Sequence, residues 1–383
     1  MALITPRVYH DNLLKRTGAV ITSSSQEAAF PKQRVLDPRR SKVWRSKLGF
    51  NVQAGINDRL DYNEGGVDKN AVIAPGNYPT GALLAVEVTT AMNAVAVANT
   101  YLVTYSSVTR KFTIARATGV ATISLEWFTG AFTLDTIGRD LGFDVTADDT
   151  AATSYLGDFA VQMSGEWVRF DLLTALLANA AIVLESNLTG AGTIKAQGNA
   201  TSDFAAPTFS TTLIGGDPDD GSKYLDFFSA AQTFRHWRIL VEDRDNPAGF
   251  AQLGVAFIGP LVTFDRCYAL NLPEARQELS EIVKADQGAI YTDVKPARRE
   301  WAFSFRETTD PDKAKWEDIA QARHIGDHLF YALDPLNKPL THTVYGYIRP
   351  PGISFEHIRS DVEALTAPLG HWNVSFPFSE DIG

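Results

Sequence analysis

The feature that most constrains this 383-residue chain is a strict alternation of large apolar and polar residues in several short runs. The clearest runs place apolar side chains at Trp237, Ile239 and Val241, at Trp301, Phe303 and Phe305, and at Trp372, Val374 and Phe376. Successive side chains of a β-strand point to opposite faces, so this spacing indicates strands that bury one face. Aromatic residues, 11% of the chain, suit such faces. The sequence therefore predicts a mainly β protein with minor α content.

The length predicts several domains, because single hydrophobic cores rarely grow beyond about 250–300 residues. Residues 48–163 are rich in small residues, Thr and Val, and they differ in texture from the regions before and after them, 1–47 and 164–261. Residues 262–383 are richer in charge and contain the clearest predicted helix. The chain therefore divides into four regions, 1–47, 48–163, 164–261 and 262–383.

Two helices and one hairpin are predicted with clear boundaries. Residues 80–95 follow Pro79 and are rich in Ala and Leu, which favours a helix. A hairpin is expected next, from residues 101–105 and 111–115 around a polar turn. A second helix is predicted over about 311–326, with Asp310 as N-cap and Gly326 at its end.

Charge and cysteine content exclude several classes of protein. The net charge of −10 and the pI of about 5.2 argue against nucleic-acid binding, which needs a basic surface. Cys267 is the single cysteine, so no internal disulfide can form, as expected of a chain that folds in a reducing cytoplasm. No signal peptide and no apolar stretch long enough for a transmembrane helix is recognised, so membrane insertion is not expected.

Candidate chemistry is sparse. His324 and His328 have the spacing of a helical metal pair, but Gly326 interrupts them, and two turn histidines are the favoured interpretation. Residues 217–221 read DPDDG, yet Phe228 stands where an EF-hand needs its Glu; a looser divalent-ion site stays open as the alternative to an exposed acidic turn. No hydrolase elbow, P-loop or dinucleotide fingerprint is present. The sequence predicts no enzyme, no metal and no cofactor.

The first and third regions carry motifs in an order that resembles discoidin-like, galactose-binding-type β-sandwiches. These motifs are Phe30-Pro31 followed by VLD at 35–37, WRS at 44–46, EWVRFDL at 166–172 and HWRIL at 236–240. The resemblance implies that residues 1–47 and 164–261 form one split sandwich, in which Trp44 and Trp167 fill the core, and that residues 48–163 are an inserted small α/β module. The insert would then occupy a loop of this sandwich, where added domains are well tolerated.

The other two regions resemble phage proteins. The insert, with PGNY at 75–78, the expected helix and hairpin, and LGF at 141–143, is similar to a module found in virion and phage tail structural proteins. Residues 298–305, the second helix and residues 329–335 resemble the sandwich-plus-helix domains of tail-tube and distal-tail proteins. Together they imply a C-terminal β-sandwich with one helix.

The resemblance implies a structural protein of a phage tail tip or baseplate, assembled in the host cytoplasm. Its partners would be other tail proteins and further copies of itself in a trimeric or hexameric ring that joins the tail tube to hub or receptor-binding parts.

The alternative function is a carbohydrate-binding module that recognises glycans of the host surface. The resemblance would place its site at the sandwich loops, with Asp37, Trp44 and Arg45 as the candidate residues. The favoured role of the same residues is structural, with Trp44 buried and Arg45 paired with Asp37.

Overall fold

The computed structural model describes residues 6–217, 222–265, 274–277, 281–284, 290–293, 297–322, 327–358 and 371–381. Over these residues the chain is a mainly β, multidomain protein with antiparallel sheets and two α-helices, as the sequence predicts. The Gly326 helix end, His324, Cys267 and most of the acidic 217–221 segment lie outside the described residues.

The strands are numbered in chain order. The first twelve are β1 Arg7–Tyr9, β2 Val20–Ser23, β3 Trp44–Arg45, β4 Phe50–Val52, β5 Arg59–Glu64, β6 Val67–Val72, β7 Gly76–Tyr78, β8 Thr100–Ser106, β9 Lys111–Thr118, β10 Ile123–Leu125, β11 Asp149–Ala152 and β12 Ser154–Leu156. The next seven are β13 Glu166–Val183, β14 Thr193–Asn199, β15 Phe209–Thr212, β16 Tyr224–Glu242, β17 Gln252–Leu253, β18 Ala256–Gly259 and β19 Val262–Thr263.

The last eight strands are β20 Glu274–Gln277, β21 Glu281–Lys284, β22 Ile290–Asp293, β23 Arg298–Thr308, β24 His328–Ala332, β25 Thr343–Ile348, β26 Ser354–Ile358 and β27 His371–Glu380. The helices are α1 Gly81–Val95 and α2 Asp310–Ala322, with 3-10 turns at Leu13–Lys15, Lys32–Leu36 and Thr133–Asp135. Both predicted helices are therefore found, and α2 begins one residue earlier than expected.

The sandwich domain is built on two very long strands. Strands β13 and β16 pair antiparallel from Glu166 opposite Val241 to Val183 opposite Tyr224, with two register shifts. The sheet order is β15-β14-β16-β13-β18, and β2 adds to β13. Across the core lies the β3–β17 pair, which contributes the buried Trp44. The alternation in β16 therefore buries Trp237, as its spacing predicts.

The insert contains α1 and strands β4 to β12, and it has a core of its own. Its buried side chains run from Phe50 to Val161 and include those of α1 that face the two small sheets. The predicted hairpin is found as β8 and β9, with Tyr105 opposite Phe112.

The C-terminal domain is an eight-stranded sheet in the order β19-β1-β24-β25-β27-β23-β20, with β26 beside β27. Helix α2 packs its Trp316 against Phe264, at 4.2 Å between ring centroids, and against Phe376 at 4.9 Å. The N-terminal strand β1 lies in this sheet, although the sequence places residues 1–47 with the sandwich. Pairing between residues so distant in sequence leaves no signal in a three-residue strand.

One further cluster joins the sandwich domain to the C-terminal domain. Tyr9 of β1 stacks on Phe227 of β16 at 5.1 Å, and Phe257 of β18 packs edge-on against Phe330 of β24 at 5.4 Å. The cluster consists of buried hydrophobic side chains, among them the rings of Tyr9 and Tyr345. Burial of such a surface favours a fixed arrangement of the two domains.

Candidate functional site

The three residues predicted for glycan binding are held by separate partners. Trp44 is completely buried, and its indole Nε1 donates a hydrogen bond to the carbonyl of Ser25 at 3.1 Å. It has no free ring face, so the prediction of Trp44 as a stacking surface for a sugar is wrong. Trp44 is buried in the sandwich core, as its expected structural role requires.

Asp37 and Arg45 do not pair with each other, contrary to expectation. Asp37 accepts two hydrogen bonds from the guanidinium of Arg39, at 2.9 and 2.7 Å, and this contact lowers the pKa of Asp37 to about 2. Arg45 lies over the ring of Phe30 at 4.0 Å and donates from Nε to Gln252 at 2.9 Å. Asp37 pairs with Arg39 and not with Arg45, because Arg39 follows Asp37 by only two residues.

Within the described part of the chain, no group of three or more His, Cys, Asp or Glu side chains converges. The two candidate metal sites fall mostly outside it, because His324 and residues 218–221 are not described. His328 lies in β24, where its Nε2 is 2.8 Å from Asp381 and its ring stacks on Tyr345. Asp217 is buried and forms an ion pair with Lys223. No helix among the described residues is long and apolar enough to cross a membrane.

A cleft of about 540 Å³ separates the insert from the sandwich sheet. The insert contributes the loops around residues 53–57 and 133–140. The sandwich contributes the outward face of β13, β14 and β16 and a loop around residues 202–207. The volume lies within the range of about 300–1,000 Å³ that is typical of small-molecule sites. This cleft is the candidate functional site.

The sheet register sets the order of side chains on the cleft floor. Gln197, Arg238 and Arg169 lie opposite one another in one row across β14, β16 and β13. Lys195, Leu240 and Trp167 form the next row on the same face. Side chains two residues apart share a face, so the two rows are neighbours. The floor thus carries three cations and an indole.

Arg169 and Arg238 are directly opposed across the β13–β16 pair. Arg169 donates to Thr22 Oγ1 at 3.3 Å and to the carbonyl of Ser202 at 2.8 Å. Arg238 donates to Gln197 Oε1 at 2.7 Å and to the carbonyl of Phe204 at 3.0 Å. In the described part of the chain these acceptors are all neutral, so no carboxylate is hydrogen-bonded to either guanidinium.

Burial is felt by Arg238 in particular. Its guanidinium lies 4.7 Å from the ring centroid of Phe204, which is itself buried. Burial lowers the pKa of Arg238 to about 10, and the charge of Arg169 acts in the same direction. The negative charges of Glu242 and Asp203 oppose this shift of the pKa. Arg238 nevertheless keeps its charge at neutral pH, in a place where that charge is poorly hydrated.

Trp167 belongs to the second row of side chains on the cleft floor. It is 8% exposed, and its Nε1 is buried without a hydrogen-bond partner among the described residues. The sequence assigns Trp167 to the sandwich core, and that assignment is wrong, since Val168 and Phe170 face the core and Trp167 lines the cleft. The alternation in EWVRFDL carries this signal, because it places Trp167 on the face of Arg169.

The opposite end of the floor is electrically neutralised. Lys195 pairs with Glu242 at 2.6 Å, and Arg244 contacts both Glu242 at 3.4 Å and Asp140 at 3.0 Å. Asp140 belongs to the insert and also accepts a hydrogen bond from Asn57 at 2.6 Å. This network fixes the insert wall of the cleft against the sheet. Among the described residues, Arg169 and Arg238 are the cations of the cleft floor that form no ion pair with a carboxylate.

Glu166 precedes Trp167 in β13, and its side chain is completely buried. The hydroxyls of Ser24 and Ser25 donate to its carboxylate, with Ser25 Oγ 3.0 Å from both oxygens. Burial nevertheless raises the pKa of Glu166 to about 8. Glu166 is therefore mostly protonated at neutral pH. Because its side chain is completely buried, we assign it a structural role.

Comparisons with known proteins are sparse. No family model and no curated protein matches the chain. Among solved structures, a mutant GH29 fucosidase from Ruminococcus gnavus in complex with fucose is similar to 66% of this chain and 27% of that one, at 9% identity and a TM-score of 0.30.

The fucosidase match contradicts the prediction that this chain is not an enzyme, and that prediction is dropped. A TM-score this low carries no argument about what the chain binds or catalyses. The functional conclusion therefore depends on the chain's own residues.

Proposed function

We propose that this protein is a structural component of a phage tail tip or baseplate, which joins the tail tube to hub or receptor-binding parts through repeated subunit contacts. The proposal draws on the sequence resemblance described above. Its main structural support is a surface of the insert whose fully exposed residues are uncharged.

This surface, the uncharged insert face, combines one side of α1 with the outer side of β8, β9 and β12. On α1 it contains Ala82, Leu83, Val86, Thr90, Asn93 and Ala94, with Leu83 and Val86 more than half exposed. On the strands it contains Thr100, Leu102, Thr104, Thr113, Ala115, Ser154 and Leu156. The solvent face of a surface helix normally carries charged residues. All the fully exposed positions of α1 are uncharged here, and the half-exposed Glu87 and Lys111 lie at the border of the face. This favours contact with another protein.

The same region is protected against uncontrolled sheet extension. Asn93 of α1 accepts a hydrogen bond from the Tyr101 N–H at 2.8 Å and donates to the Tyr101 carbonyl at 3.0 Å. Thr89 accepts from the Val103 N–H at 2.9 Å. The helix thus occupies the edge of β8, which would otherwise invite pairing with any strand. Association through the uncharged insert face would then be face-to-face and limited to specific partners.

Self-association tests the proposal. We expect the purified chain to form trimers or hexamers at high concentration, measured by light scattering after gel filtration. Leu83→Glu combined with Val86→Glu should shift this equilibrium to the monomer, because two desolvated charges oppose burial of the face. Val67→Glu, at a similarly exposed apolar residue of β6, is the matched control. A chain that remains monomeric in the wild-type form would contradict the ring.

Location in the particle is tested separately. Immunogold labelling of the phage with antibodies against this chain should mark the end of the tail. Labelling on the capsid, or none on intact and on disrupted particles, would refute the tail-tip assignment.

The alternative function, recognition of host surface glycans, no longer rests on Trp44. The observation that favours it now is the cleft between the insert and the sandwich sheet, at a different place in the fold.

A further inference from the structure

We propose that the cleft binds an acidic sugar, whose carboxylate is held by Arg169 and Arg238 and whose hydroxyls meet the acceptors at the cleft rim. This site is independent of the proposed tail assembly, since it lies on the sandwich sheet and not on the uncharged insert face.

Arg169 and Arg238 bring two positive charges together on the cleft floor. Like charges directly opposite each other on neighbouring strands destabilise a sheet. Arg169 and Arg238 occupy such opposed positions, and the acceptors they contact in the described residues are neutral. Of the other cations that line the cleft, Lys195 and Arg244 have carboxylate partners, and Arg139 is exposed to solvent. A bound anion would relieve the repulsion between Arg169 and Arg238, which the charges of Glu242 and Asp203 offset only in part.

The guanidinium groups of Arg169 and Arg238 have hydrogen-bond donors whose geometry suits a carboxylate. A guanidinium presents five N–H donors in a plane, and it binds carboxylates through two parallel hydrogen bonds. Protein acceptors occupy only part of each group, through two hydrogen bonds from Arg169 and two from Arg238. Trp167 adds a buried indole N–H without a partner. A buried donor of this kind is costly unless a ligand or water accepts from it.

The acceptors that line the cleft favour a sugar acid over a bare oxyanion. Acceptors also line the cleft, including Asp135 and Asp203 as well as the amides of Gln53 and Asn57. The negative charge of Asp203, which acts on Arg238, disfavours a compact, multiply charged anion such as phosphate. The acceptors suit a ligand with one negative charge and several hydroxyl donors. The volume of about 540 Å³ accommodates a ligand larger than a simple ion.

Calorimetric titration of the full chain tests this assignment. The probe is methyl β-D-glucuronide, the neutral control is methyl β-D-glucoside, and inorganic phosphate represents the bare oxyanion. We expect the glucuronide to bind, the glucoside to bind at least about tenfold more weakly, and phosphate to compete poorly, because charge-assisted bonds are the stronger ones.

Variants locate the site. Arg169→Gln and Arg238→Gln should each weaken glucuronide binding by about tenfold or more, and Arg238→Lys should give an intermediate loss, since it keeps the charge but not the planar fork. Arg235→Gln, an exposed residue of β16 that pairs with Asp171, should bind as the wild type does. Thermal melting shows that each variant is folded, and the lysine variant remains informative if a glutamine variant does not fold.

Three results would overturn the proposal. One is the absence of glucuronide binding by the folded wild-type chain. Another is binding that the arginine substitutions leave unchanged in folded variants. The third is phosphate binding as tight as that of the glucuronide, which would reduce the site to a general oxyanion site and remove the sugar.

Discussion

Arg244 at the end of β16 donates from Nε to Asp140 of the insert at 3.0 Å, and this bond ties the inserted module to the sandwich that carries it. Asp140 is 4% exposed, so the pair is largely withdrawn from water. Around it, the Gly49 N–H donates to the Gly249 carbonyl at 2.9 Å, and Arg110 pairs with Asp245 at 2.9 Å. The insert is thus fixed by several polar contacts, and the cleft beside them has defined walls.

Loss of one partner in the Asp140–Arg244 pair should destabilise the protein strongly. We expect Arg244→Gln to reduce the free energy of unfolding by about 2–4 kcal/mol, because it leaves a buried carboxylate without a charge partner. Urea denaturation measures the loss. Arg16→Gln removes an exposed pair with Asp11 and should cost less than about 1 kcal/mol. Equal effects of the two substitutions would show that the buried pair does not hold the insert.

Stability should fall as the pH rises between about 5 and 8 because of Glu166. Its pKa is about 8 in the folded protein, whereas an ordinary glutamate titrates near 4.5. In this window the unfolded chain releases the proton and the folded protein retains it, so the free energy of unfolding decreases with pH. We expect a loss on the order of 2–4 kcal/mol, since one pKa unit corresponds to about 1.4 kcal/mol.

Substitution separates the effect of Glu166 from that of other groups. Glu166→Gln should remove most of this slope in unfolding experiments at pH 5, 6.5 and 8. Glu64→Gln is the control, because burial raises the pKa of Glu64 but hydrogen bonds from the backbone of residues 97–99 lower it overall. A lowered pKa changes stability only in acid, so this variant should keep the wild-type slope. A wild-type slope in Glu166→Gln would mean that another group titrates.

Gly49 should not tolerate a side chain. Its φ is +83°, and a Cβ would lie 2.5 Å from the carbonyl oxygen of Tyr78. We expect Gly49→Ala to cost about 2 kcal/mol or more, from backbone strain and this clash together. Gly55 also has a positive φ, of +66°, but open space around it. Gly55→Ala should therefore cost about 1 kcal/mol, and thermal melting of both variants isolates the contribution of the clash.

Asn93 should protect the edge of β8. Asn93→Ala removes both of its hydrogen bonds to Tyr101, and we expect a loss of about 1–2 kcal/mol with faster amide exchange at Tyr101. Thr90→Ala on the same helix removes only a bond to the Val86 carbonyl and should leave that exchange rate unchanged. Unchanged exchange at Tyr101 in both variants would contradict the capping role of Asn93.

Local patterns predicted the elements well. The alternation at Trp237, Ile239 and Val241 and the runs around Phe303 and Phe376 do form strands, because period-two burial is a property of each strand by itself. Helix α1 and the hairpin that follows it are found for the same reason. Nearby residues set propensity, capping and turn chemistry, so a short sequence window contains them.

The candidate site was mostly beyond such patterns. Trp44 is a sequence candidate for sugar stacking, yet its side chain is completely buried in the core. Arg169 and Arg238 are 69 positions apart in the chain, and only the β13–β16 register makes them opposed. The alternation around Trp167 shows which face its indole occupies, but it does not show that the insert lies across that face.

Patterns along the chain are thus sufficient to predict the class of the fold, the strands with strong alternation and the two helices, since these depend on neighbouring residues. Three relationships appear only in the folded protein: β1 joins the C-terminal sheet, Asp140 contacts Arg244, and two arginines share a cleft floor. Those relationships depend on the register and packing of distant segments, which the burial of apolar side chains selects only when the whole chain is folded.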